Sequence, residues 1–519
     1  MFVKPLLPNA EVPMRPAASL LALFLWACAH SPVAETAPRL EVAEAAFLDT
    51  LQQRTFGYFW QLSDSRTGLT PDRAPTQSFA SIAAVGFALS AYPVGVERGY
   101  VTRGDAAARV LTTLRFFWRA PMGPEATGRT GHQGFYYHFL NMADGSRFET
   151  VELSTIDTAL LLAGVLFCQV YFDRDNAQER EIRALADSIY GRVDWNWAQP
   201  RPPLVTMGWH PEQGFHHLDW RGFNEAMLLY VLALGSPTHP VDPAAWPAWS
   251  STYQWGTFEG REQVGFAPLF GHQYSHVWID FRGIQDAYMR SRGIDYFENS
   301  RRATLSQRDY GARNPDGWRA YSDSIWGWTA ADGPADVTLT VDGRTRTFFS
   351  YRARGVSFNE ISDDGTIVPT AAGGSIPFAP EETIRALMVM RRTYGEPLFT
   401  TYGFLDAFNP TFPADAPLQH GKFVPGVGWF DVDYLGIDQG PILLMAENYR
   451  SGLVWKYMRR HPAIIRGLRR AGFTGGWLEE AAVLEEAAER ANRRAAKPAE
   501  YTTNKELSAL CASAVDVFC

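Results

Sequence analysis

Cysteine is scarce: four residues in a chain of 519 exclude a disulfide-built scaffold. Cys168 lies in an apolar run and reads as a core residue. Cys511 and Cys519 stand near each other in the tail, close enough in sequence to pair in an oxidising compartment. No cysteine and histidine spacing matches a structural zinc site, and no acid and histidine pair has the compact helical spacing of a metalloenzyme, so no metal ligands are expected. Charge is thin as well, at 20% of residues with a net of −8. That balance excludes nucleic acid as the main partner, because such binding calls for a basic face.

The amino-terminal apolar stretch is too short to span a membrane. Met14-Arg15 precedes a run from Ala17 to Cys28 that reads as a targeting leader. It ends in Leu-Trp-Ala-Cys, similar to a bacterial lipoprotein cleavage box, with Cys28 as the residue to be acylated. Trp26 is an unusual occupant of that box and keeps ordinary secretion open. Residues 29–41, rich in Ala and Pro, then read as a tether. The expected setting is the periplasm or cell surface, with the chain held to a membrane by its lipid anchor.

Apolar and aromatic material is plentiful. Hydrophobic residues make up 46% and aromatics 14%, with 17 Trp; a large aromatic core and a groove of sugar-stacking rings account for this equally well. The stretch Glu152-Leu-Ser-Thr-Ile-Asp-Thr-Ala-Leu-Leu-Leu-Ala-Gly164 sets a polar head on an uncharged helix. Ser154 or Thr155 can cap it, and Asp157 falls in the first turn, where the helix dipole favours a carboxylate. Behind that head, residues 159–170 are apolar all round apart from Cys168 and Gln169, which predicts burial on every side.

The same plan recurs at residues 79–92, stopped by Pro93, and at 222–235, 274–289, 380–390 and 436–449. More charged helices alternate with these, at 42–62, 104–118, 177–190, 240–253 and around 298–310. The pattern suggests six inner and six outer helices, an all-α (α/α)6 barrel over residues 42–477, followed by an exposed helix and polar tail at 478–519. One segment departs from it. Residues 336–351 alternate around Asp342-Gly343, a β-hairpin signal, and read as a small insert at the barrel mouth.

Inner helices that point their amino termini the same way gather acids at one end: Glu152, Asp157, Glu225, Asp280, Glu381, Glu382, Asp433 and Asp438. Loops between them carry His138, Trp209, His210, Trp220, His272, His276, Trp278, Arg282, Trp326 and Trp328. Carboxylates beside flat rings and hydrogen-bonding His and Arg are what glycoside hydrolysis requires. One acid protonates the leaving oxygen while the other activates water or attacks the sugar.

Plainer readings compete for several of these acids. Dipole stabilisation accounts for Glu381 and Glu382, Glu447 reads as half of a buried pair with an arginine, and Asp280 beside Arg282 reads as a positioning pair. Glu225 stands ahead of a wholly apolar run, where desolvation would raise its pKa as a general acid needs. Asp157 and Asp438 have similar settings. The histidines read as holding ligand rather than metal.

Several strings then carry a resemblance: Glu-Leu-Ser-Thr-Ile-Asp-Thr-Ala-Leu-Leu from Glu152, Asn-Glu-Ala-Met from Asn224, and Pro-Leu-Phe-Gly-His-Gln-Tyr-Ser-His-Val-Trp-Ile-Asp-Phe-Arg from Pro268. Asp-Tyr-Phe-Glu-Asn-Ser from Asp295, Asp-Gly-Thr-Ile-Val-Pro-Thr-Ala from Asp364, and Ile-Asp-Gln-Gly-Pro from Ile437 with Glu-Asn-Tyr-Arg extend it. Over residues 45–475 the chain resembles the bacterial glucoamylase-like family, and within it glycoside hydrolase family 144. That resemblance implies an (α/α)6 barrel that hydrolyses β-1,2-glucans or glucooligosaccharides by inversion, with no metal or organic cofactor. It implies Glu225 as the acid and Asp157 or Asp438 as the base, with Glu152 and the loop residues above left to bind sugar. A barrel glycosidase of another linkage, a retaining transglycosylase and a non-catalytic glycan-binding lipoprotein remain alternatives at this point.

Overall fold

The computed structural model describes residues 40–480. Cys28, nearly all of the tether, Cys511, Cys519 and all but the start of the segment expected at 478–519 lie outside the described residues. Helices dominate: α1 (Val42–Leu62), α2 (Ile82–Glu97), α3 (Arg103–Arg119), α4 (Thr155–Tyr171), α5 (Ala177–Gly191), α6 (Met227–Gly235), α7 (Ala245–Ser250) and α8 (Phe270–Trp278). They continue with α9 (Ala287–Arg292), α10 (Tyr296–Arg313), α11 (Pro369–Gly373), α12 (Pro380–Tyr394), α13 (Gly436–Ser451), α14 (Leu453–Met458) and α15 (Pro462–Arg470).

Two kinds of helix alternate. Those with at most one charge, at an end, are buried along most of their length: α2, α4 and all nine residues of α6. Those with more charge bury one face, as in α3, α5, α10 and α12. Among the buried helices α2 packs on α4 and α13, α4 on α6, and α6 on α8. Gln273 of α8 donates to the Ala371 carbonyl of α11, which packs in turn on α13.

Backbone meets backbone where α2 crosses α4. A methyl group on Gly164 would lie 2.2 Å from the Gly86 carbonyl oxygen, and one on Gly86 would lie 2.3 Å from that of Leu160. Only hydrogen fits at either position, so the small residues read from the sequence are a packing requirement. Pro93 does not end α2, which runs on to Glu97. A proline frees the carbonyl four residues earlier, here that of Leu89; the Cys168 thiol of α4 donates to that oxygen at 3.2 Å. The buried cysteine thus repairs the break that the sequence reading placed at Pro93.

Several expected helices are shorter or sit elsewhere. The segment 222–235 becomes helical only at Met227, 240–253 holds just α7, and 274–289 breaks after Trp278 into a loop and then α9. The segment 380–390 belongs to α12, whose residues Glu381 and Glu382 face outward; the buried position falls to α11 and the residues just after it.

All-α is too simple a description. The hairpin forms as read, Val337–Val341 against Arg344–Phe348 with Val341 opposite Arg344. The loops at the helix heads also knit into a five-stranded sheet of two- and three-residue strands, Gly131–His132, Phe135–Tyr137, Leu153–Ser154, Gly208–His210 and Gly214–Phe215. No described helix is long and apolar enough to cross a membrane.

Gly164→Ala has to push α4 off α2. It is expected to cost at least about 1–3 kcal/mol, the usual range for an overpacked core, read as a lower urea midpoint at unchanged slope. The same change at the helix-ending Gly452, which has open space around it, is expected to cost only about 1 kcal/mol, from its left-handed φ.

Candidate active site

Four buried helices bring their first turns to one cavity of about 200 Å³. Asp157 comes from α4, Glu225 from the turn before α6, Phe270 and Tyr274 from α8, and Asp438 from α13. His138 and Tyr351 reach in from loops. The three acids singled out in the sequence therefore share one space, although Glu225 precedes its helix instead of heading it.

Asp157 is held tightly. Ser154 caps α4 by accepting the Asp157 amide, and its hydroxyl donates back to Asp157 Oδ2 at 2.5 Å. His138 bridges two acids, with Nδ1 2.8 Å from Glu152 Oε1 and Nε2 3.5 Å from Asp157 Oδ1. Burial pulls His138 down, but Asp157 and Glu152 outweigh it and lift the ring to about 9, so it is an imidazolium at neutral pH. Burial pushes Glu152 up, yet the hydrogen bond and charge of His138 hold it below its ordinary value.

Glu225 has no such cation. Burial pushes its carboxyl up to about 7, with the charge of Asp157 adding to the shift. Its main chain is fixed from α8, where the Ser275 hydroxyl donates to the Glu225 carbonyl and accepts the Leu228 amide. Asp438 is raised further, to about 8, by burial first and then by the carboxylates of Asp332 and Asp72, against a hydrogen bond with Asp406 and the charge of Arg73. Tyr274 senses all three acids, and together with burial they push its phenol well up. It stays a neutral hydroxyl that can donate to any of them.

Most of the rings named in the sequence reading belong to the core. Trp278, Trp326 and Trp328 are fully buried and Trp220 nearly so. Three of the indole N–H groups are engaged internally, Trp278 with Ser90, Trp328 with Tyr321 and Trp220 with Thr155, and that of Trp326 is buried without a partner. His272 and His276 are buried too, bonded to the Phe266 carbonyl and to Ser300, and burial lowers them to about 4 and about 3. Both are neutral core histidines instead of ligand holders.

Asp280 lies past the carboxyl end of α8, away from the cavity, bound to Arg282 and Arg459. Trp209 and His210 sit part-buried in the small sheet, Trp209 against His132 and Trp197, and His210 against Arg147. Glu447 makes the arginine pair expected of it, with Arg98 at 2.7 Å. The rings that do face the cavity are Phe270, Tyr274 and Tyr351, and Tyr351, on the segment leaving the hairpin, is 59% exposed. The alternation Asp431-Val-Asp433, which puts two acids on one face of an extended segment, was the signal available for the acids around Asp438.

Known proteins resemble this chain over most of its length. A family model described as "putative glucoamylase" matches residues 217–462. An exo β-1,2-glucooligosaccharide sophorohydrolase (non-reducing end) of Parabacteroides distasonis is 27% identical over 468 residues, 83% of this chain and 58% of its own length. The chain thus spans less than two thirds of that relative. A solved glucoamylase of the same description from Bacteroides uniformis is 30% identical, with TM-score 0.71 over 85% of this chain and all of its own. An endo-β-1,2-glucanase from Chitinophaga pinensis, solved with sophorotriose and glucose, is 26% identical, with TM-score 0.70 over 85% of this chain and all of its own. On identity, coverage and fold together, this chain belongs to the glucoamylase-like family.

Proposed function

We propose that the chain is a glycoside hydrolase that cleaves β-1,2-linked glucose chains, with Glu225 as proton donor and Asp438 as base. One observation carries the reading: two carboxyls lifted by burial face the same ring-walled cavity at the heads of converging helices. Names of relatives at 26% and 27% identity, an endo-β-1,2-glucanase and a sophorohydrolase, support the linkage. The ring of contacts from α2 through α4, α6, α8, α11 and α13 supports an (α/α)6 barrel as the frame.

In this scheme protonated Glu225 gives its proton to the glycosidic oxygen as the C1–O bond breaks. Asp438 takes a proton from the water that attacks C1 from the opposite face, which inverts the anomeric centre. Asp157 is less free to take a proton from water, because its carboxylate already accepts from Ser154 and faces the His138 ring. It is better suited to grip sugar hydroxyls, with Glu152 and His138. Phe270, Tyr274 and Tyr351 supply the rings that stack on the pyranose. We also read residues 1–28 as a lipoprotein leader ending at an acylated Cys28, which sets the enzyme at the periplasmic or cell-surface face of a membrane.

Incubation with linear and cyclic β-1,2-glucans, β-1,3- and β-1,4-linked glucans and short oligomers, with sizing of the products, tests the substrate. Products from the β-1,2 series alone are expected, and no cleavage of any β-1,2 substrate would sink the reading. Glu225→Gln is expected to lower kcat by about 10²–10⁴ while glycan binding persists; near wild-type turnover removes Glu225 from the acid role. The donor must carry its proton and the base must have lost its own, and with Glu225 at about 7 and Asp438 at about 8 kcat/KM is expected to be highest between those values and to fall roughly tenfold per unit above about 8 and below about 7. A flat profile to pH 9 contradicts that assignment. Radiolabelled palmitate is expected to enter the wild-type chain and not Cys28→Ser.

A further inference from the structure

Beside Asp438 the loops crowd acids around a single histidine. His420 Nε2 lies 2.8 Å from Asp431 Oδ1, 3.5 Å from Asp332 Oδ2 and 3.5 Å from Asp433 Oδ2. One guanidinium shares the site: Arg73 reaches Asp332 Oδ2 at 2.6 Å, Asp72 at 3.4 Å and Asp433 at 4.0 Å. Asp406 completes the group, accepting the Asp332 amide on Oδ2. Counting Asp438, six carboxyls face two cationic groups.

Hydrogen bonding does not use up this cluster. Asp431 and Asp433 are fully buried, yet Asp431 Oδ2 and Asp433 Oδ2 have no hydrogen-bond partner. A buried carboxylate oxygen left bare is costly, and the Asp433 oxygen points at His420 Nε2 and Arg73. One atom from each of Asp332, His420 and Asp431 lies within 4.8 Å of the others.

We propose that His420, Asp431, Asp332 and Asp433 bind one divalent first-row transition ion, of the Mn²⁺ or Zn²⁺ class. Around an ion with bonds of about 2.0–2.2 Å, ligand atoms stand roughly 2.8–3.6 Å apart in octahedral or tetrahedral arrangements; the three His420 distances lie in that range. A single imidazole among carboxylates suits Mn²⁺ or Zn²⁺ and not an all-oxygen Ca²⁺ site. The ion displaces the His420 proton, takes up the bare oxygens and leaves Arg73 as an outer partner of Asp332. His420 and Arg73 are 27% and 22% exposed at their side chains, which leaves a way in from solvent.

The role is structural. Asp431 and Asp433 lie on the segment that leads into α13 and Asp438, and the ion would fix that segment to the loop carrying Asp332. The sequence reading expects no metal here, because these ligands come from separate loops without a compact spacing.

Metal-stripped full-length protein, titrated with Mn²⁺ and Zn²⁺ by calorimetry, tests the proposal. One equivalent is expected to bind, at least tenfold more weakly to His420→Gln and Asp431→Asn and with unchanged affinity to Glu225→Gln. No saturable binding of either ion, or equal binding by the two ligand variants, overturns it. Location is read without any variant from crystals grown with Mn²⁺: an anomalous peak bonded to His420 Nε2 supports the site. A peak elsewhere only, or none, overturns it even if the variants fail to fold.

Discussion

An uncharged helix buried along its whole length still ends in backbone N–H groups that need acceptors. That constraint shapes the molecule. Ser81 accepts the Ala84 amide at the head of α2, Ser154 accepts that of Asp157 in α4, and Ser275, lent by α8, accepts that of Leu228 in α6. Polar side chains are therefore obligatory at one end of otherwise apolar rods, and packing brings several of those ends to the same cavity. The positive ends of the dipoles face it together, so acids there are stabilised as anions by the frame itself. Glu225 and Asp438 have to be withdrawn from water for that tendency to be overcome.

The helices were legible in sequence because their signals are long. Residues 42–62 and 177–190 carry enough period for α1 and for α5 nearly to its end, and the polar heads before Asp157 and Asp438 mark where α4 and α13 begin. Inner and outer character was less secure. The segment 380–390 has the proline and acids of a good helix start, but its apolar residues cover one face only, and the five-residue α11 takes the buried place instead. Composition also misled about the rings. Tryptophan is abundant because the core uses it, with Trp195, Trp249, Trp278, Trp326, Trp328, Trp429 and Trp455 fully buried, while the cavity takes smaller Phe and Tyr side chains.

What the sequence could not disclose is the wall made by loops. Strands of two or three residues carry no alternation to detect, and their partners lie far apart along the chain, as with Leu153 opposite Trp209. Arg354 shows how such a wall is fixed. Its guanidinium is fully buried, pairs with Asp364 at 2.8 Å and donates to the carbonyls of Ala331, Phe349 and Ser350. One side chain thereby ties the exit of the hairpin, and with it Tyr351, to the strand that precedes Asp332. With its donors satisfied, this buried charge is compensated; loss of either partner of such a pair typically costs about 3–5 kcal/mol.

Burial alone cannot distinguish an acid from a base, since it raises Glu225 and Asp438 alike. Their neighbours differ, although Asp438 at about 8 still stands above Glu225 at about 7, so the competent pairing is a minority form. The nearby charge acting on Glu225 is the Asp157 carboxylate, which favours the protonated form a donor must have. Around Asp438 the carboxylates of Asp332 and Asp72 push the same way, but the hydrogen bond with Asp406 and the charge of Arg73 favour the anion. Arg73 in turn is held by Asp332 and Asp72, so the acids that hinder ionisation of Asp438 also fix the cation that assists it. The base is thus tuned by a network of loop residues, whereas the donor needs only an apolar helix behind it and one anion across the cavity.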